Sequence, residues 1–259
     1  NSRAESQNPK ELLDPRFRQA LYRAVDRQGV SDAVTRGLAP TADSIVPPFY
    51  AVRKDVESAI VQYPYDLAAA QRALQDLGWA KAPDGVMRNA QGQEFRFLVA
   101  STAMARSQRE VNSAVAGWKE LGIQVDEQFD PPSLTVSDED RVKRPGFGVP
   151  GGRADEFLTD RLSCDTVPTP ATGFRGRNSG SWCNAEAQTL IDGLRTTIKP
   201  DERMQILRGL LGVIGRELPI MPMYWDLDPI LVANGITGVP QPSSPSRVST
   251  FNIAQWDKQ

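Results

Sequence analysis

The stretch EFRFLVASTAMARSQREVNSAVAGWKELGIQVDEQF (94–129) decides how this chain folds. Its opening, EFRFLVAS (94–101), alternates Phe95, Phe97 and Val99 and reads as a strand. From Ser107 to Leu121, Val111, Ala114, Val115, Trp118 and Leu121 fall at helical spacing, and Gly122 ends the run. IQVDEQF (123–129) alternates again. Strand, helix and strand within about 35 residues form a βαβ unit, which implies a parallel pair with a right-handed crossover.

Working outward, DPRFRQALYRAVDRQGV (14–30) reads as one helix. Asp14 suits the N-cap and Pro15 the first helical position; Phe17, Leu21, Ala24 and Val25 share a face, and Gly29 suits the C-terminal cap. LAPTADSIVPPFYAV (38–52) is a connector made stiff by Pro47 and Pro48. YDLAAAQRALQDLGW (65–79) is a second helix, capped by Asp66, lined by Leu67, Ala70, Leu74 and Leu77, and ended by Gly78. PDG (83–85) marks a turn. Beyond the central unit, DPPSLTVSDEDRVKRPGFGVPGG (130–152) breaks the rhythm. It reads as a long loop or a poorly formed helix, with a short strand near Phe147, and long loops in compact domains are often functional.

Two more helices follow. Asn184 caps the first, with Ala187, Leu190, Ile191, Leu194 and Ile198 inward. The second runs from Asp201 to about Leu218, with Met204, Leu207, Leu210, Leu211 and Ile214 inward. LPIMPMYWDLDPILVANG (218–235) reads as extended chain. The tail is linker-like except for Phe251, Ile253 and Trp256. The pattern is α/β, with no internal repeat.

At 259 residues the chain can bury one core, or one core and a smaller annex. The net charge of −2 and the lack of a basic stripe argue against a nucleic-acid partner. The longest apolar run, LLGVIG (210–215), falls far short of the ~20 residues that span a bilayer. Histidine is absent, which excludes Ser-His-Asp and Cys-His catalysis and any His-ligated metal within this chain. No cofactor and no metal are expected. The opening NSRAESQNPKELLD is polar and reads as disordered, a cut end or cloning scar rather than a natural start.

Both cysteines, Cys164 and Cys183, bracket one irregular loop in LSCDTVPTPATGFRGRNSGSWCN (162–184). They could form a disulfide closing a loop of 18 intervening residues, which is worth about 3 kcal/mol and needs an oxidising compartment. They could be reduced and packed as small hydrophobes, or include a reactive thiol. Arg175 and Arg177, beside Asn178, could offer planar forks to a carboxylate or phosphate, or be solvated loop charges. Among Asp155, Glu156, Asp160 and Asp165 a glycosidase-like carboxylate pair can be sought. Asp155 is better explained as a helix cap, with Phe157 and Leu158 entering a core. Tyr224 and Trp225 could pack in a hinge or wall a ligand site.

Taken in order, these segments resemble the C-terminal half of the extracellular solute-binding proteins of family 5, the peptide, dipeptide and nickel binding components of ABC importers. The residues that carry the resemblance are DPRFRQALYRAVDRQGV, IVPP, YDLAAAQRALQDLGW, VAGWKELGIQV, ADEFL with LSC and SWCN, ELPIMPMYW and FNIAQW. The resemblance implies the second lobe of a type II periplasmic-binding-protein-like fold, a mixed sheet flanked by helices. Residues 1–15 would be disordered or the start of a hinge, 16–222 the second lobe, and 223–259 a segment returning to a missing first lobe. In the dipeptide-binding branch these two cysteines are bridged.

The resemblance also implies a function, which is capture of a peptide or similar small solute between two lobes and delivery to an ABC transporter permease. The protein would not be an enzyme, and would be periplasmic or extracellular, with a lipoprotein anchor among the options. Ligand contacts are expected from Ser101 and Thr102, Phe147 and Gly148, and Arg177 and Asn178. Ser101 matches the arginine that holds a dipeptide carboxylate in relatives; Pro150 matches the aspartate that holds the ammonium, and Phe147 a tryptophan. Both charge anchors are therefore missing. That disfavours a free dipeptide and leaves longer peptides gripped by backbone pairing, or a sugar or opine-like solute. A nickel chelate is disfavoured without histidine. The rival readings are a carboxylate-based hydrolase and a peptide receptor or chaperone that does not serve transport.

Overall fold

The computed structural model describes residues 2–134, 136–152, 154–227, 230–239, 250 and 252–258. Helix α1 (Pro15–Arg23) starts as expected, with the Asp14 side chain accepting from the Arg16 amide. The run 14–30 is not one helix, however. The chain turns at Ala24, and α2 (Arg27–Thr35) begins afresh with Asp26 accepting from the Gly29 amide. Gly29 therefore lies inside a second helix instead of capping the first. The break lets Leu21, Val25 and Val30 all reach full burial in the same core.

A single turn, α3 (Arg53–Val56), follows the Pro-Pro connector, and then α4 (Leu67–Asp76), capped by Asp66 at the Ala69 amide. Strands β1 (Trp79–Lys81) and β2 (Met87–Asn89) pair antiparallel across the expected turn at 83–85. The central unit forms as β3 (Arg96–Thr102), α5 (Ala105–Glu120) and β4 (Gln124–Asp130). β3 and β4 are parallel, in register from Arg96 opposite Gln124 to Thr102 opposite Asp130. Gly122, at φ 87°, turns the end of α5 into β4.

The irregular stretch 130–152 contains more order than its composition announces. Ser137 caps α6 (Asp138–Lys143), and β5 (Phe147–Gly148) pairs parallel with the other side of β3. The sheet order is β4-β3-β5, parallel throughout; antiparallel pairing occurs in separate two-stranded ribbons and in isolated bridges. Next come α7 (Ala154–Thr159), α8 (Ala185–Thr196) and α9 (Pro200–Glu217). Asn184 caps α8 at the Ala187 amide. Asp155 is the second residue of α7, in its first turn rather than at its cap, while Phe157 and Leu158 do pack against a core. Ile198, expected inward, is 92% exposed because α8 ends before it. β6 (Ile236–Thr237) and β7 (Asp257–Lys258) form an antiparallel ribbon. Phe251 and the linker-like residues 240–249 lie outside the described residues.

Two main interiors result among the described residues, with a smaller cluster of Tyr22, Tyr63 and Leu218 beside them. The first joins the sheet to α1, α4 and α5 through Leu21, Leu74, Phe95, Phe97, Val115 and Trp118. Its rings touch in series: Trp79 to Phe95 at 4.7 Å, Phe95 to Phe97 at 5.8 Å, and Phe97 to Trp118 at 5.3 Å. The Trp118 indole donates to the Leu21 carbonyl at 2.7 Å, so its one polar atom is satisfied. The second interior packs α8 on α9 through Ile191, Leu194, Leu207 and Leu210, with Ile45, Val46, Val56, Leu162 and Trp182 closing over them. Each fully buried leucine or isoleucine contributes about 1.5–3 kcal/mol.

Residues 2–15, expected to be disordered or a hinge start, are fastened to this body. Lys10–Leu13 make one 3-10 turn, Leu12 is buried, and the Ser2 amide donates to the Gly180 carbonyl at 2.6 Å. The Arg18 guanidinium, buried at 7% exposure, donates to the carbonyls of Leu12 and Leu13 (both 2.8 Å), Glu217 (2.9 Å) and Leu218 (3.2 Å). Among the described residues no helix is long and apolar enough to cross a membrane.

Candidate functional site

The carboxyl ends of β3, β4 and β5 meet at one edge of the sheet, which is where α/β folds place their ligands. Ala100 lies opposite Gly148, Ser101 opposite Phe129, and Thr102 opposite Asp130. Four of the expected contacts, Ser101, Thr102, Phe147 and Gly148, are thereby brought together by strand pairing alone. Ser101 and Phe147 are half-buried; Thr102 and Gly148 are exposed. The Phe147 ring is occupied within the protein, 5.4 Å from the Phe97 ring and stacked at 5.5 Å on Trp118. What it presents at the edge is backbone.

The edge carries hydroxyls and paired charges. Thr102 and Ser107 share a hydroxyl hydrogen bond at 3.1 Å. Asp130 takes Arg144 at 2.6 Å, and that guanidinium holds its carboxyl below the usual carboxylate range. Arg106, at the start of α5, takes Asp226 at 2.5 Å and donates to the Tyr224 hydroxyl at 3.3 Å. Tyr224 in turn donates to Glu110 at 3.1 Å. Burial pushes the Glu110 carboxyl up, against the opposing pull of the Tyr224 hydroxyl and Arg106. Tyr224 packs against the first interior, and Trp225 meets Phe49 edge-on at 6.5 Å. These two aromatics fix the segment leaving α9, through a bridge to Thr41 and a bond from the Trp225 amide to the Pro40 carbonyl.

Arg177 and Asn178 lie in the loop closed by the Cys164–Cys183 disulfide, whose Cα atoms are 4.8 Å apart. Asn178 is 1% exposed and its amide donates to the carbonyls of Ser163 at 3.0 Å and Trp182 at 2.7 Å. Arg177 pairs with Glu156 at 3.6 Å and Asp160 at 3.5 Å. Both residues hold the loop. Of the acidic set, Glu156 also binds Arg161 at 2.9 Å, and Asp165 binds Arg195 at 3.2 Å. Each of Glu156, Asp160 and Asp165 is thus engaged in ion pairs with arginine. Sequence reasoning missed the Asp130–Arg144 and Arg106–Asp226 pairs, since neither spacing nor periodicity links residues 14 and 120 positions apart.

Comparison with known proteins places this geometry in a family. The model of the bacterial extracellular solute-binding proteins, family 5 Middle, matches residues 6–151, more than half of the chain. The chain belongs to that family. It is 23% identical over 218 residues to a di/tripeptide-binding protein of Pseudomonas aeruginosa, covering 80% of this chain and 36% of the relative. It is 24% identical over 232 residues to the glutathione-binding protein GsiB of Salmonella typhimurium, covering 83% of this chain and 40% of the relative. Among solved structures, the oligopeptide binding protein from Thermus thermophilus complexed with pentapeptide superposes with TM-score 0.71 at 25% identity, over 88% of this chain and 41% of that one. NikZ from Campylobacter jejuni in complex with Ni(L-His) superposes with TM-score 0.68 at 19% identity, over 95% of this chain and 49% of that one. The fold is that of the type II periplasmic binding proteins. The chain spans between about a third and a half of the length of the proteins it matches.

Proposed function

We propose that this chain is one lobe of a two-lobe solute-binding protein. It captures a peptide or related small solute for a membrane ABC importer, and it grips that solute without transforming it. The observation that carries the reading is the convergence of Ser101, Thr102, Phe147 and Gly148 at the carboxyl edge of a parallel sheet within a family 5 chain. β5 ends the sheet order, so its outer backbone groups suit pairing with an extended ligand strand. The paired charges at this edge fit a ligand held by backbone and hydroxyls better than one held by its charged termini. The peptide-binding and glutathione-binding names of the relatives support a peptide-like solute.

The partners on this reading are the remaining lobe of the same protein and a transporter permease, with ligand favouring the closed form over the open one. The protein works outside the cytoplasmic membrane, where a disulfide persists and a lipid anchor would keep it near its transporter. This lobe alone holds half a cleft. Mass spectrometry of small molecules that co-purify with the full-length protein tests the reading, and a peptide-like solute is expected. Micromolar binding of a solute by the isolated chain in calorimetry would overturn the one-lobe assignment.

A further inference from the structure

Every buried backbone amide needs an acceptor, and the one just before β5 finds it in an unexpected place. Gly146 is buried, has φ 76°, and lies so close to β3 that a Cβ there would stand 2.0 Å from the Leu98 carbonyl oxygen. Its amide donates at 2.9 Å to the side-chain oxygen of Gln7, a residue 139 positions earlier and only 4% exposed. The next residues along the chain are Phe147 and Gly148. Gln7 belongs to a segment fastened at other points too. The Ser2 amide donates to the Gly180 carbonyl, and the Arg3 guanidinium to the Pro168 carbonyl, both in the disulfide loop. Residues 2–7 thus tie β5 to that loop.

We propose that Gln7 is a positioning residue for ligand recognition, its side-chain carbonyl setting the height at which Phe147 and Gly148 reach the edge of the sheet. This rests on the reading of those two residues as ligand contacts. Gly146 presses inward on β3 and has no side chain with which to anchor itself. A strand only two residues long has a short ladder to fix its register. Gln7 supplies an acceptor from a part of the chain that moves with the disulfide loop, so the loop and the cleft strand keep one relative position.

The test uses the full-length protein and two variants. Gln7→Met keeps the bulk and removes the acceptor; Gln7→Glu keeps an acceptor oxygen. Amide exchange is read at Gly146 and Gly148, and affinity is read with trialanine as the probe. The expected result is exchange about tenfold faster at both glycines in Gln7→Met, with trialanine affinity weakened by a similar factor and both restored in Gln7→Glu. Amides of α9 should be unchanged. Unaltered exchange at Gly146, equal acceleration throughout α9, or trialanine affinity identical in all three proteins overturns the proposal. A wild-type protein that ignores trialanine sinks the peptide reading instead, and Gly146 exchange then still decides whether Gln7 sets the strand.

Discussion

The interior around Phe95, Phe97 and Trp118 and the interior around Ile191 and Leu210 bury the same kinds of side chain, yet they are closed by different means. The first is closed by a parallel sheet whose central strand, helix and strand follow one another within 35 residues, Arg96 to Asp130. Its aromatic rings interlock, and its ladder satisfies the backbone. The second is two helices under a cover of irregular chain, and that cover includes Leu162 and Trp182 at the two roots of the disulfide loop. Between those roots the loop relies on a bridge, on Asn178 and on ion pairs rather than on apolar burial. A local pattern thus supplies the centre of one interior, onto which the earlier helices pack, whereas the other is completed by covalent and polar ties.

The contrast can be broken or sharpened by substitution. Phe97→Ala should cost about 3–5 kcal/mol, because a ring in contact with Phe95, Trp118 and Phe147 leaves a cavity the sheet cannot collapse into. Chemical denaturation would read that loss. Replacing Cys164 and Cys183 together by serine should cost about 3 kcal/mol, with amide exchange rising across residues 160–184 and unchanged in β3. Equal acceleration in both interiors would mean that they form one cooperative unit. Asn178→Ala should cost about 1–3 kcal/mol, since it strips a donor from two buried carbonyls; thermal melts with and without reductant would show whether that cost depends on the bridge.

The smallest effect concerns Glu110, whose carboxyl burial raises above the ordinary range. The native state holds that proton more tightly than the unfolded chain. The resulting stability is complete below the usual carboxylate pKa and is lost as pH rises through the elevated one. Glu110→Gln removes this loss. The variant's melting temperature should therefore exceed the parent's by a margin that opens across that window and then stays level. A margin independent of pH would refute the assignment.

These cases also mark what could be read in advance. The βαβ unit and the caps at Asp14, Asp66 and Asn184 are legible because each rests on residues within one turn or one alternation. The break at Asp26 is not, because Gly29 serves a helix start and a helix stop equally well in sequence. At the edge of the sheet, Ser101 and Thr102 follow from the end of a strand, and Phe147 and Gly148 from a short one. The tie from Asn178 to the carbonyls of Ser163 and Trp182 is not legible, because a polar loop residue gives no sign of which backbone groups it will meet. Gln7 gives no signal, since its partner is 139 residues distant.

Arg18 gathers the carbonyls of Leu12, Leu13, Glu217 and Leu218 around one guanidinium. Residues 12–13 and 217–218 are therefore brought to one point. A single side chain thus pins together two stretches far apart in the sequence, and loosening it would free both at once.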